Sequence, residues 1–158
     1  MDGMNAMDAP LAGVAMHPLR QIADRRGAVL HMLRADAPWF SGFGEVYFSE
    51  VALGAIKAWK RHLRMTQYFA VPVGRIRLVL WDDRPDSTTR GATQVIELGR
   101  PESYMLVIVP PRLWYGFTAI GSGPALLSNC ANMAHDPAES ERMELHEAAD
   151  RIPYRWEA

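Results

Sequence analysis

Between Ala55 and Met65 the chain reads AIKAWKRHLRM, and five of these eleven residues are basic: Lys57, Lys60, Arg61, His62 and Arg64. Among them stand Ile56, Trp59, Leu63 and Met65, the residues of a buried strand. Two readings fit this mixture. It is one wall of an anion-binding cavity, or it is a solvated edge strand whose lysines discourage aggregation. Strict period-two alternation puts Lys60, His62 and Arg64 on one face after Ile56 and Ala58. Lys57, Trp59, Arg61, Leu63 and Met65 fall on the other. Neither face is cleanly apolar, which a purely structural strand normally achieves. A bulge near Ala58-Trp59 would bring Lys57 and Lys60 to the same side.

The surroundings read as strands. Residues 28–33, 45–52, 55–59, 68–73, 75–81, 93–98, 104–109, 113–117 and 124–131 are rich in β-branched and aromatic side chains. Turn signals separate them, among them Val73-Gly74, Arg84-Pro85-Asp86-Ser87, Pro110-Pro111 and Gly121-Ser122-Gly123. Many short strands at regular spacing predict an all-β sandwich or barrel of about nine strands. Helical signal is confined to Asp136 through Met143, where Asp136 suits an N-cap and Pro137 the first position.

The chain has 158 residues, enough for one domain with a core of its own. A net charge of −1 gives no global reason to expect nucleic acid or membrane binding, so any basic site is local. Cys130 is the single cysteine, which excludes an internal disulfide and fits a reducing compartment. No apolar run approaches the roughly 20 residues that span a bilayer. Residues 1–16 contain two Asp and no Lys or Arg. That composition predicts a loosely ordered tail before a single domain over 17–158, and a cytoplasmic location.

From Pro18 to Trp156 an ordered series of motifs resembles the dTDP-4-dehydrorhamnose 3,5-epimerase family of cupins. Asp24-Arg25-Arg26-Gly27 is similar to the family's D-x-R-G, and Glu45-Val46-Tyr47-Phe48-Ser49 takes the place of its Q-x-N-x-S strand. Gly54 through Lys60 sits where the family has G-V-L-R-G-L-H. Gly74 through Arg84 resembles G-x-V-x-D-V-x-V-D-x-R, and Val109 through Phe117 resembles I-P-P-G-F-A-H-G-F. Trp59 through Thr66 (WKRHLRMT) and Asn129 through Pro137 (NCANMAHDP) resemble a divergent branch of the family.

The resemblance implies a cupin-type double-stranded β-helix, or jelly roll. It implies a homodimer in which Arg26 reaches the substrate's phosphates across the interface, with no cofactor. The implied substrate is a small molecule, a dTDP- or CDP-linked 4-keto-sugar that is epimerised or isomerised through an enolate. A base removes the proton next to the ketone, and a donor stabilises the enolate oxygen.

Several family positions carry other residues here. The base position is Lys60, the acid tyrosine falls near Ser128, and the histidine of H-G-F is Tyr115. The aspartate that orients the base would lie beyond Ala158. The substitutes are a desolvated Lys60 or His62 as base, Tyr115 as acid or oxyanion donor, and Asp82 as an orienting carboxylate. Candidate binding residues are Arg26 and Lys57 for phosphates, with Glu45, Tyr47, Trp59, Trp114, Ser128, Asn129 and Asn132 around the sugar. Lys60-Arg61-His62 occupies the place of a cupin H-x-H metal cluster, and its lysine repels a cation, so no metal is expected. Two rival functions use the same fold. One is isomerisation or cyclisation of another carbonyl compound; the other is non-catalytic binding of a sugar nucleotide.

Overall fold

A computed structural model describes residues 10–156. Twelve strands run through them: β1 (Ala15–Pro18), β2 (Gln21–Asp24), β3 (Gly27–Leu30), β4 (Glu45–Val51), β5 (Ile56–His62), β6 (Gln67–Val73), β7 (Arg75–Trp81), β8 (Thr93–Gly99), β9 (Met105–Val109), β10 (Trp114–Ala119), β11 (Ala125–Ala131) and β12 (Ser140–Arg142). One short helix, α1 (Leu145–Ala148), follows. Two five-stranded antiparallel sheets face each other, ordered β1-β9-β6-β11-β4 and β12-β5-β10-β7-β8, and β2-β3 forms a separate hairpin. This is the jelly roll that the family resemblance implies, and it falls within the sandwich or barrel class that the strand spacing predicts. No helix among the described residues is long and apolar enough to cross a membrane.

Alternation builds the core. Inward residues of facing strands interdigitate between the sheets: Phe69 and Val71 from β6, Ile76, Leu78 and Leu80 from β7, Val107 and Val109 from β9, Phe117 from β10 and Leu127 from β11. A second cluster covers the other face of the β5-β10-β7 sheet. There Trp59, Trp81 and Trp114 meet Met143, Ala148 and Ile152 from the C-terminal segment. Burying each large side chain contributes about 1.5–3 kcal/mol, so the C-terminal segment is a structural part of this sheet.

Three expectations change. The described residues hold twelve strands because β1, β2 and β12 are only three or four residues long, too short for period two to stand out. The strand expected over 28–33 is Gly27–Leu30, the return arm of the hairpin. The tail boundary at residue 16 also moves. Residues 1–9 lie outside the described residues, but Leu11 and Val14 are buried in the main core and β1 pairs with β9. Leu11 donates its N–H to Gln94 Oε1 at 3.0 Å, so this segment is fixed by both packing and hydrogen bonding.

Candidate active site

The basic strand is β5, and it bulges where the sequence allows. Its register with β10 runs Thr118↔Ile56, Phe117↔Lys57, Gly116↔Ala58 and then Tyr115↔Lys60, leaving Trp59 as the extra residue. The bulge turns the Trp59 ring outward against Tyr154 and Trp156 and lets Lys57 and Lys60 border one cavity. Close approach at this point requires glycine on the neighbouring strand. A Cβ on Gly116 would lie 2.4 Å from Ala58 Cβ. Beyond His62, Arg112 takes a left-handed φ of 74° where the family motif has glycine. Its N–H donates to the His62 carbonyl at 2.6 Å, which offsets part of that strain.

The cavity has a volume of about 330 Å³ and opens between β5, β4, β10 and β11. Its floor is apolar, from Ile56, Phe69, Phe117 and Leu127. Its polar groups are Tyr47, Ser49, Lys57, Lys60, Tyr115, Asn129 and Arg142, with no carboxylate among the lining residues. Such a space suits a small polar molecule carrying or developing negative charge. A larger cleft of about 760 Å³ lies between β1 and β8, but among the described residues Glu97 is the only charged one lining it.

Lys60 sits at the centre of a cross-strand row, with Tyr115 opposite it on β10 and Arg142 opposite it on β12. Burial pulls the Lys60 ammonium below the usual lysine range, and the Arg142 charge pulls it further, against Glu139. Burial pushes the Tyr115 phenol well above the usual tyrosine range, and Tyr47 adds to this. Tyr115 therefore stays protonated, a hydrogen-bond donor at any physiological pH, while Lys60 has an enlarged neutral fraction.

His62 lies behind this row. It is 2% exposed, and its Nδ1–H donates to the Glu139 carboxylate, which is equally buried. Glu139 also accepts the amides of Arg64 at 3.1 Å and Met65 at 3.2 Å. Burial lowers the His62 pKa despite the pull of Glu139. Burial alone would raise Glu139, but the His62 bond and the two amides hold it below its ordinary range. The pair is thus a neutral imidazole on a carboxylate. Its Nε2 is buried with no hydrogen-bond partner among the described residues, and its ring stacks 6.2 Å from Tyr115.

The other expected site residues divide. Tyr47 and Asn129 meet in the cavity, where Asn129 Nδ2 donates to Tyr47 Oη at 2.8 Å and to Gln67 Oε1 at 3.0 Å. Asn129 Oδ1 is buried without a partner among the described residues, an acceptor beside the cavity. Lys57 holds Ser49 Oγ at 2.9 Å and the Glu50 carbonyl at 2.8 Å.

Six residues lie elsewhere. Asp82 is fully buried and tied to Arg84, Ser87 and Thr89, so it organises its own loop and orients no base. Ser128 points away from the cavity, to Met32 Sδ at 3.3 Å. Asn132 Oδ1 accepts the Thr66 amide at 2.9 Å, and Glu45 accepts the His135 amide at 2.9 Å; both are loop ties. Trp114 packs under Arg61, 4.5 Å from its ring, and donates to Asp83. Arg26 is paired with Asp24 at the tip of the β2-β3 hairpin, 83% exposed and outside its own chain's cavity. Cys130 is buried, and burial raises its thiol pKa, the opposite of an activated nucleophile. Among the described residues no three His, Cys, Asp or Glu side chains gather to hold a metal.

Barrel and cavity together define a cupin with a cation-lined, carboxylate-free pocket. No protein-family model matches the chain. It is 33% identical over 143 residues to the "Probable low-salt glycan biosynthesis epimerase Agl13" of Haloferax volcanii, covering 89% of this chain and 86% of the relative. It superposes on a dTDP sugar isomerase from Desulfovibrio desulfuricans G20 with a TM-score of 0.88 and 51% identity, over 92% of each chain. A dTDP-4-dehydrorhamnose 3,5-epimerase from Elizabethkingia anophelis shares the fold at TM-score 0.77 and 16% identity, over 96% of this chain and 85% of that one. The chain belongs to the dTDP-4-dehydrorhamnose 3,5-epimerase family of sugar-nucleotide epimerases and isomerases.

Proposed function

We propose that the protein is an isomerase that enolises a nucleotide-linked 4-keto-sugar, using Lys60 as the base and Tyr115 as a hydrogen-bond donor to the enolate oxygen. The observation that carries this is the cavity row of Tyr115 and Lys60, a permanently protonated phenol directly across the ladder from a lysine whose ammonium is destabilised. A ketone acidifies the adjacent C–H, so a neutral amine held against it removes that proton, and a buried phenol bonds the oxygen that becomes negative. Lys60 is favoured over His62 because it lines the cavity, whereas His62 lies behind it on Glu139.

Lys57 is exposed to solvent and also borders the cavity, so a diphosphate would meet it on entry. The exposed hairpin supports a homodimer in which Arg26 reaches a partner's pocket. A two-stranded hairpin with outward Ile22 and Val29 is marginal alone in water. Phe43, Val46 and Phe48 add an exposed apolar face at the β4 edge. A single-copy mass in sedimentation would contradict the dimer. A nucleotide-sugar substrate also favours a cytoplasmic location.

The resemblance to a dTDP sugar isomerase favours a thymidine nucleotide. Saturating dTDP is therefore expected to stabilise the protein by about 2.7 kcal/mol at a hundredfold excess over its Kd, read as a rise in melting temperature. No rise with dTDP or CDP would remove the nucleotide from the substrate and leave a free carbonyl compound.

A further inference from the structure

The ladder between β5 and β12 carries two charge pairs that face opposite ways. Arg61 stands across from Glu141, and the two form an ion pair that Asp83 extends. One residue along, on the cavity face, Lys60 stands across from Arg142. Opposite charges directly across a ladder stabilise it, and like charges destabilise it. The same two strands obey this rule on one face and break it on the other. Among the described residues no carboxylate lies within ion-pair distance of Arg142, Lys60 or Lys57. A like-charge pair on a cavity wall is one that an anionic ligand neutralises. Lys57 is already committed to Ser49 and the Glu50 carbonyl, so Arg142 is the uncommitted cation next to Lys60.

We propose that Arg142 is a catalytic residue whose guanidinium takes up the negative charge that forms on the substrate's carbonyl oxygen. The role rests on the enolising function proposed above. The C–H bond next to the ketone breaks, its proton passes to Lys60 Nζ, and the electron pair moves onto the carbonyl oxygen, held by Arg142 beside the Tyr115 phenol. Return of a proton to carbon, from the Lys60 ammonium after it exchanges with solvent, restores the ketone and the neutral amine, so the step needs no oxidant or reductant. Arginine suits the task because it stays charged at every working pH while its neighbour gains and loses a proton.

Two variants, Arg142→Gln and Arg142→Lys, test this. Arg142 is exposed on a short strand, so both should fold, and thermal melts will verify it. The first arm needs no turnover: calorimetric titration with oxalate, a planar dianion shaped like an enediolate. Wild-type binding that falls at least about tenfold in Arg142→Gln, with partial retention in Arg142→Lys, supports the assignment. No oxalate binding by the wild type, or equal binding by Arg142→Gln, overturns it.

The second arm follows deuterium uptake into dTDP-4-keto-6-deoxyglucose. Arg142→Gln is expected to lower kcat about 100-fold with KM nearly constant, the signature of an interaction made only in the transition state. A raised KM with unchanged kcat would place Arg142 on the diphosphate and overturn the role. The pH–rate profile adds a check, because losing the Arg142 charge should move the rising limb assigned to Lys60 to higher pH. If the wild type binds oxalate through Arg142 yet takes up no deuterium, the substrate reading fails and the anion site stands. If the wild type exchanges and Arg142→Gln matches it, the inference fails and the substrate reading stands.

Discussion

Replacing Lys60 with methionine is expected to lower the rate of substrate proton exchange by about 10²–10⁴-fold, the usual contribution of a positioned general base. Methionine keeps most of the unbranched stem and removes the amine. It also relieves the repulsion between Lys60 and Arg142, so the fold should be unharmed or slightly firmer. Exchange kinetics and a thermal melt on the same preparation check both halves. The discriminating control is His62→Gln. Because His62 is a buried partner of Glu139, its variant should lose stability more than activity per folded molecule. If Lys60→Met turns over normally while folded His62→Gln does not, the base is His62.

The second large effect is on stability. Glu139→Ala is expected to cost about 3 kcal/mol, because it strands the buried His62 Nδ1–H and leaves the Arg64 and Met65 amides without their acceptor. For a domain of this size that corresponds to a fall of roughly 10 °C in melting temperature. The pair also sets an acid limit. His62 is held below its ordinary 6.5 in the folded chain, where it faces Glu139, Lys60, His135 and Tyr115. The folded state therefore binds fewer protons there than the unfolded state. This contribution is fully present above about pH 6.5 and is lost as pH falls through the lowered folded value. Glu139, held below 4.5, adds a loss of the same sign at lower pH. Melting temperatures recorded from pH 8 down to 5 should fall below pH 6.5 in the wild type and more steeply in Glu139→Ala, because Glu139 is the group that opposes the lowering of His62. A difference under about 1 kcal/mol at pH 8 would mean that the pair is not formed in solution.

The barrel was legible because strands and turns alternate along the chain with little helix between them. The bulge was legible too, since a strand with charges on both faces has to break its period somewhere, and Trp59 is where it does. Other site residues could not be read from the sequence, for physical reasons. Glu139 and Arg142 reach β5 from the opposite end of the chain, 77 and 82 residues after His62 and Lys60. No local periodicity links such partners, and β12 is three residues long.

Ser128 and Asn129 were both expected around the sugar, yet adjacent residues on a regular strand face opposite ways. The buried alternation of β11 decides for Asn129. Asp82 had a visible local signature. Its partners Arg84, Ser87 and Thr89 lie within seven residues, the mark of a carboxylate that ties its own turn rather than one that serves a distant base.

The central claim is that a lysine-centred row enolises a keto-sugar without the family's histidine base. Its most direct test is solvent deuterium uptake, with the protein in D2O and freshly made dTDP-4-keto-6-deoxyglucose followed by NMR. Enzyme-dependent exchange at the carbon next to the ketone, lost in Lys60→Met, is the predicted result. An unlabelled substrate, beside an active control epimerase in the same buffer, would contradict enolisation of this sugar and leave the cavity as a binding site or a site for another carbonyl compound.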